Sequence, residues 1–156
     1  MAVSLFDSLK IRDLEISNRV WVSPMCQYSS INGVVGEWHR AHIGALATGH
    51  PGLIVMEATA ISPEGRISIA CPGLWNEEQQ NAFKPLTNFA HSQGVKIGIQ
   101  LAHAGRKAST MRPWDDHLIA SEAEGGWQPV APSAIAFPEY PTPHSLSIDE
   151  IKNLIN

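Results

Sequence analysis

An unbroken apolar run, Leu53-Ile54-Val55-Met56, limits the choice of fold more than any other feature, and Lys96-Ile97-Gly98-Ile99-Gln100-Leu101 reads as a later core strand. A run that does not alternate with polar residues is how a strand covered on both faces reads, and such strands belong to parallel sheets. Upstream, Arg19-Val20-Trp21-Val22-Ser23 forms a shorter run stopped by Pro24, which cannot donate to a ladder and so marks a strand end. Between the first two runs, an Asn32-Gly33 turn precedes a helical pattern over Glu37 to Thr48, with Ile43, Leu46 and Ala47 on one face and Gly49 and Pro51 behind it. Between the second and third, Asn76 opens a helix with Gln79 in a partial capping box, and Ala82, Leu86, Phe89 and Ala90 form its stripe. Pro85 lies inside that pattern and predicts a kink or a late start. Strand, helix, strand, helix, strand is the order of βαβ units, and the class is α/β.

Outside this core the reading is coarser. Leu5 to Ile16 shows two short apolar groups separated by Lys10 and Arg12-Asp13 and predicts a small N-terminal hairpin covering one end of the fold. Residues 102–146 show no periodicity but hold most of the late prolines and Gly125-Gly126, and a long excursion of this kind inside a domain is expected to be functional. Ser147 and Glu150 form a capping box for a last helix, with Leu146 and Ile151 placed as a hydrophobic staple. A complete (β/α)8 barrel typically needs roughly 250 residues. Three strands with two helices and the start of a third therefore predict that residues 1–156 are one incomplete domain, the amino-terminal half of such a barrel.

Charge and composition exclude several classes. Eleven Lys and Arg against fifteen Asp and Glu, with no run of like charges, lack the electrostatic footprint of a nucleic-acid groove. No stretch approaches the roughly 20 apolar residues of a membrane span, and residues 1–11 lack the apolar core of a secretory signal, so a cytoplasmic location is expected. Cys26 and Cys71, the two cysteines, are then expected to be reduced thiols.

In barrels and doubly wound sheets ligands sit beyond the carboxyl ends of the strands. The first strand delivers Ser23, Pro24, Met25, Cys26 and then Tyr28; the second delivers Glu57, Ala58, Thr59 and Ala60; the third delivers Gln100, His103, Gly105, Arg106 and Lys107. Pro24 and Met25 offer rigid and polarizable surface for a ring. Ala60 permits close approach and Gln100 presents donor and acceptor side by side. This set suits a flat heteroaromatic ligand with a hydrogen-bonding edge, as a flavin has, and a thiol near such a ring tunes its reduction potential. Taken singly, Cys26 reads as a small core residue, Gln100 as a partner for backbone and Tyr28 as a packing residue; their joint placement makes the case for a site. His39 and His42, three apart on a helix, allow a metal reading with Cys26 or His103, but solvent exposure or backbone capping is the expected role, because the spacing matches no zinc motif. One of Trp114 and Trp127 is placed to line an opening.

Several segments together resemble the Old Yellow Enzyme family of flavin-dependent ene reductases, in its bacterial branch that includes xenobiotic reductases. They are Asn18-Arg19, Ser23-Pro24-Met25-Cys26-Gln27-Tyr28, Glu57-Ala58-Thr59-Ala60, Pro63-Glu64-Gly65-Arg66-Ile67, the Gly98 to Lys107 run and Ala131-Pro132-Ser133-Ala134-Ile135. The resemblance implies an FMN-containing (β/α)8 barrel that takes hydride from NADPH or NADH and delivers it to an activated alkene such as an enone, quinone or nitro compound. It implies that Ser23, Pro24, Met25, Cys26, Ala60 and Gln100 contact FMN, that Tyr28 contacts substrate, and that Cys26 and Tyr28 are the catalytic residues of this half. His103 and Arg106 are expected to support the site, and the full-length enzyme is expected to be a homo-oligomer. The family's His-x-x-His-Gly-Tyr motif and its phosphate site do not occur in these 156 residues. The chain alone is therefore expected to be inactive, and the alternative is a non-catalytic half barrel that assembles with another chain.

Overall fold

The structure is a computed structural model and describes residues 3–155. A hairpin of β1 (Leu9–Ile11) and β2 (Leu14–Ile16) opens the chain, its antiparallel register pairing Ile11 with Leu14 across Arg12-Asp13. Arg12 takes a φ of 54° there, which closes the turn. Fully buried Ile16 packs at Gly52, just before the first residue of the central strand, so the hairpin covers the amino-terminal end of the sheet.

The sheet consists of β3 (Trp21–Val22), β4 (Leu53–Ala60) and β5 (Lys96–Ala102) in that order, all parallel. β3 is shorter than the run Arg19 to Ser23 predicts, because only Trp21 and Val22 find partners, in Leu53 and Ile54. β4 extends four residues past its apolar run, through Glu57-Ala58-Thr59-Ala60. That extension includes a register shift between Met56 and Ala58: Met56 pairs with Ile99 and Ala58 with Gln100, leaving Glu57 as the extra residue of a bulge. A bulge re-aims a side chain, and here Met56 and Glu57 are both buried although they are neighbours.

Helices α1 (Glu37–Thr48) and α2 (Glu77–Ser92) cover one face of the sheet. Val35, Ile43, Ala47, Ile54, Met56, Phe83, Leu86, Ala90 and Val95 form the core between them. On α2 the buried positions are Gln79, Phe83, Leu86 and Ala90; Phe83 takes the place expected of Phe89, which lies exposed against Gly44 of α1. Asn76 caps the helix by accepting from the Gln79 N–H at 2.9 Å, but the Gln79 side chain turns to the Trp75 N–H instead of closing the box. Neither a late start nor a break occurs at Pro85, since α2 runs unbroken from Glu77. Proline removes the donor to the Asn81 carbonyl, and both residues lie on the exposed side, where solvent can serve that oxygen.

Residues 102–146 fold back over the β4–α2 connection. Thr110 N–H donates to Ile67 O at 2.9 Å, Ile69 N–H to Thr110 O at 3.1 Å and Ala104 N–H to Gly65 O at 2.8 Å. The guanidinium of Arg66 lies over the Trp127 ring at 4.5 Å and the Trp75 ring at 5.7 Å, joining the two segments. Two-residue strands β6 (Val130–Ala131) and β7 (His144–Ser145) pair in parallel, too short to leave a periodic trace. The final helix α3 (Ile148–Ile155) has the expected capping box, with Ser147 N–H donating to Glu150 at 2.7 Å and Glu150 N–H to Ser147 Oγ at 3.3 Å. No helix among the described residues is long and apolar enough to cross a membrane.

Candidate functional site at the carboxyl ends of the strands

Because β3, β4 and β5 are adjacent and parallel, the residues after each run emerge at one rim. The β3 exit, residues 23–28, is held by backbone: Gln27 N–H donates to Glu57 Oε2 at 2.8 Å, and the Gln27 side chain returns to Met25 O at 2.8 Å. Ser23 and Met25 are exposed, while Pro24, Cys26 and Tyr28 are half-buried. Tyr28 adopts a φ of 50°, a left-handed conformation rare for an aromatic residue. Its ring meets Trp114 edge-on at 5.7 Å, while Trp127 is tied to the Glu64 carbonyl at 2.9 Å.

From β4, Ala60 is 2% exposed, and its backbone is engaged on both sides: its N–H donates to Pro72 O at 3.0 Å and its carbonyl accepts from Leu74 at 2.8 Å. It thus contributes a small buried surface and no free backbone donor. From β5, Gln100 is exposed, opposite Ala58 in register, and its amide makes no side-chain hydrogen bond to the described residues. These residues therefore lie towards one end of the sheet, and among the described residues the Gln100 amide has no side-chain hydrogen bond while Met25 is exposed.

His103 and Arg106 hold the exit of β5. His103 Nδ1 accepts from Gly105 N–H at 3.0 Å, and its buried Nε2 has no hydrogen-bond partner among the described residues. Arg106 donates to Ile135 O at 3.3 Å and lies over Phe137, as does Lys107 at 4.1 Å.

The arrangement beneath the loop involves a histidine expected to face solvent or cap backbone. His39 does cap, its Nδ1 accepting from Gly36 N–H at 3.2 Å, yet it is fully buried and its Nε2 lies 3.2 Å from Glu57 Oε1, off the hydrogen-bond axis. A backbone donor on Nδ1 puts the ring proton on Nε2, facing the carboxylate. Glu57 therefore meets the α1 imidazole through one oxygen and the Gln27 N–H of the site loop through the other. Its signal in the sequence is a charged residue inside an apolar strand, together with a histidine four residues before Ile43 on the buried stripe of α1. Among the described residues, no group of three or more His, Cys, Asp or Glu is placed to hold a metal.

Electrostatics single out the thiols. The Cys26 thiol is pushed well above its ordinary range, first by its contact with Cys71 and then by burial, and so stays protonated at neutral pH. Cys71 is drawn down, to about 7, by that same contact against the opposing effect of burial. The Tyr28 hydroxyl is pushed up to about 12, by burial first and then by the two sulfurs.

Comparison with known proteins agrees with this geometry. The chain is 42% identical over 160 residues to an NADH:flavin oxidoreductase of Gibberella zeae, covering 99% of this chain and 39% of the relative. It is 42% identical over 158 residues to an NADPH dehydrogenase of Bacillus subtilis, covering 99% and 42%. Among solved structures, morphinone reductase in complex with tetrahydroNAD superposes with a TM-score of 0.79 at 30% identity, over 99% of this chain and 44% of that one. The old yellow enzyme homologue of Zymomonas mobilis gives 0.77 at 30%, over 98% and 42%. The chain thus spans about two fifths of the length of these relatives, and its fold is the amino-terminal part of their (β/α)8 barrel. The family model for the NADH:flavin oxidoreductase / NADH oxidase family matches residues 4–156, and the chain belongs to that family.

Proposed function

We propose that this chain supplies the cofactor-facing half of an FMN-dependent ene reductase, which passes hydride from NADPH or NADH to an activated alkene. The observation that carries this reading is the delivery of Met25 and Cys26 after β3, Ala60 at the end of β4 and Gln100 on β5 to one rim by three adjacent parallel strands.

The donor set fits a flavin. Exposed Met25 and half-buried Pro24 offer a face for a ring, Gln100 an amide for its polar edge, and Ala60 a side chain small enough to let it seat. When bound, FMN supplies the acceptance and release of hydride. Cys26 presents a neutral thiol there, because Cys71 and burial hold its proton, and it would meet the ring as an uncharged, polarizable sulfur. Tyr28, protonated up to about 12, offers an O–H donor to a substrate carbonyl or nitro oxygen. Glu57 fixes the loop on which both are carried.

A second reading rests on the open side of β5. A cavity of ≈ 310 Å³ beside it is lined by Met56, Leu74, Phe83, Ile97 and Ile99, and Leu101 is 59% exposed. Such surface is what a half barrel leaves for a complementary half to cover. The test is the visible absorption spectrum of the purified chain after FMN is added and the excess removed, followed by anaerobic NADPH. A retained flavin band that bleaches is the expected result if this half, alone or self-assembled, holds a working site. A colourless protein places the cofactor site in an assembly with the complementary half, and flavin bound with no change on adding that half would refute the second reading.

A further inference from the structure

Arg106 and Lys107 are neighbours at the exit of β5, and the fold sets both charges against one ring. The Arg106 guanidinium carbon lies 5.6 Å and the Lys107 Nζ 4.1 Å from the centroid of Phe137. Adjacent cations repel each other, so a pair held on one surface gains from a counter-charge. Among the described residues neither cation has one, whereas Arg40, Arg112 and Lys152 each pair with a carboxylate three residues away. Arg106 donates one N–H to Ile135 O at 3.3 Å, which fixes the guanidinium and leaves the rest of its fork open. A cavity of ≈ 390 Å³ lies beside the two cations, its far wall formed by Ala131-Pro132-Ser133, with no acidic residue in its lining. That wall is anchored to β7: Leu146 N–H donates to Ala131 O at 2.9 Å, and Ser145 Oγ to Pro132 O at 3.3 Å. A guanidinium fork, an ammonium and the Ser133 hydroxyl thus face one carboxylate-free space between two fixed segments.

We propose that Arg106, Lys107 and Ser133 bind a phosphomonoester, the 2′-phosphate of NADPH. A phosphomonoester carries about −1.5 to −2 charges at neutral pH and matches two cations, whereas a carboxylate would leave one of them unpaired. The choice of NADPH as its source rests on the function proposed above, in which a nicotinamide dinucleotide delivers hydride at this rim. Arg106 and Lys107 stand six and seven positions past Gln100, on the exit of the same strand. NADPH and NADH differ by that one phosphate. The site therefore selects between them through a charge-assisted contact that NADH cannot make, and it acts on donor binding and not on hydride transfer.

The test needs no flavin: amide NMR of the native chain, titrated separately with NADP+, NAD+ and inorganic phosphate. NADP+ is expected to shift the amides of residues 105–107 and 131–133 and to bind roughly tenfold or more tighter than NAD+, the worth of one charge-assisted contact. Inorganic phosphate is expected to move the same amides more weakly. Lys107→Gln removes the preference for NADP+, and Ser133→Ala, an exposed change, reduces it; the same spectra verify that both variants are folded. Equal binding of NADP+ and NAD+, or no shift at these amides, would overturn the proposal. Phosphate binding as tightly as NADP+ would overturn its assignment to the dinucleotide. A chain that retains FMN and bleaches with NADPH yet shows no preference for NADP+ refutes this inference alone. One that prefers NADP+ but never retains flavin, with or without the complementary half, refutes the proposed function instead.

Discussion

Glu57→Gln isolates the contact that fixes the site loop. The carboxylate accepts from the Gln27 N–H at 2.8 Å and its other oxygen lies 3.2 Å from His39 Nε2, close but off the hydrogen-bond axis, and both side chains are essentially inaccessible to solvent. Gly36 N–H occupies His39 Nδ1, so the imidazole cannot change tautomer to accept from a new donor without losing its own cap. A carboxamide at position 57 has one oxygen and one NH2. Turned either way, it sets a donor against the Gln27 N–H or against the His39 Nε2 proton. An unsatisfied buried donor costs about 1–3 kcal/mol, and exchange of a charged acceptor for a neutral one costs about 1 kcal/mol more. The expected loss is therefore about 2–4 kcal/mol, which for a domain of this size lowers Tm by roughly 4–16 °C. Differential scanning calorimetry reads the loss, and amide exchange at Gln27 reads the release of the loop. In a His39→Phe background the donor conflict is gone, and the same substitution is expected to cost at least about 1 kcal/mol less. Equal costs in both backgrounds, or a Tm for Glu57→Gln within about 1 °C of the parent, would refute the assignment of Glu57 as the clasp between α1 and the site loop.

Two further outcomes follow from local geometry. A Cβ on Gly52 would lie 2.2 Å from Asn18 O and 2.7 Å from Ile16 Cγ2, at the point where the Gly52 N–H donates to both Val20 O and Asn18 Oδ1. Gly52→Ala is expected to destabilise by roughly 1–3 kcal/mol in urea unfolding, a clash that outweighs the about 0.4–1 kcal/mol a Gly→Ala change gains through the unfolded chain. At the start of α3, the Ser147 N–H and Oγ and His144 hold the Glu150 carboxyl down, to about 2 from an ordinary 4.5. A depressed carboxyl stabilises above its unfolded value and loses that contribution as pH falls through the folded one. Protection of the Ser147 amide, followed by NMR, is therefore expected to persist at pH 5 and to disappear between about 4.5 and 2; loss of protection already at pH 5 would contradict it.

How much of this was legible in the sequence depends on the range of the interaction involved. The span of α1, the parallel order of the three strands, the turn at Arg12-Asp13 and the box at Ser147 and Glu150 each follow from residues within a few positions of one another, and the structure reproduces them. The stripe of α2 came out rotated, because Phe83 and Phe89 compete for the same core and only the placement of α1 decides; Gly44 lets Phe89 lie across its surface while Phe83 goes in. The site separates in the same way. Strand-end logic places residues 23–28, Ala60 and Gln100 at one rim, since parallel strands deliver their exits together. What holds that rim is not local. Glu57 turns towards His39 only because a bulge interrupts the β4–β5 register, and the loop after β3 is fastened to the β4–α2 connection by the Ser30 N–H on Ala70 O. A bulge leaves no periodic trace, and a hydrogen bond between residues 40 positions apart leaves none either. The residues proposed to touch a ligand are thus the ones strand-end logic picks out, and the residues that fix the loop carrying them are the ones only the fold reveals.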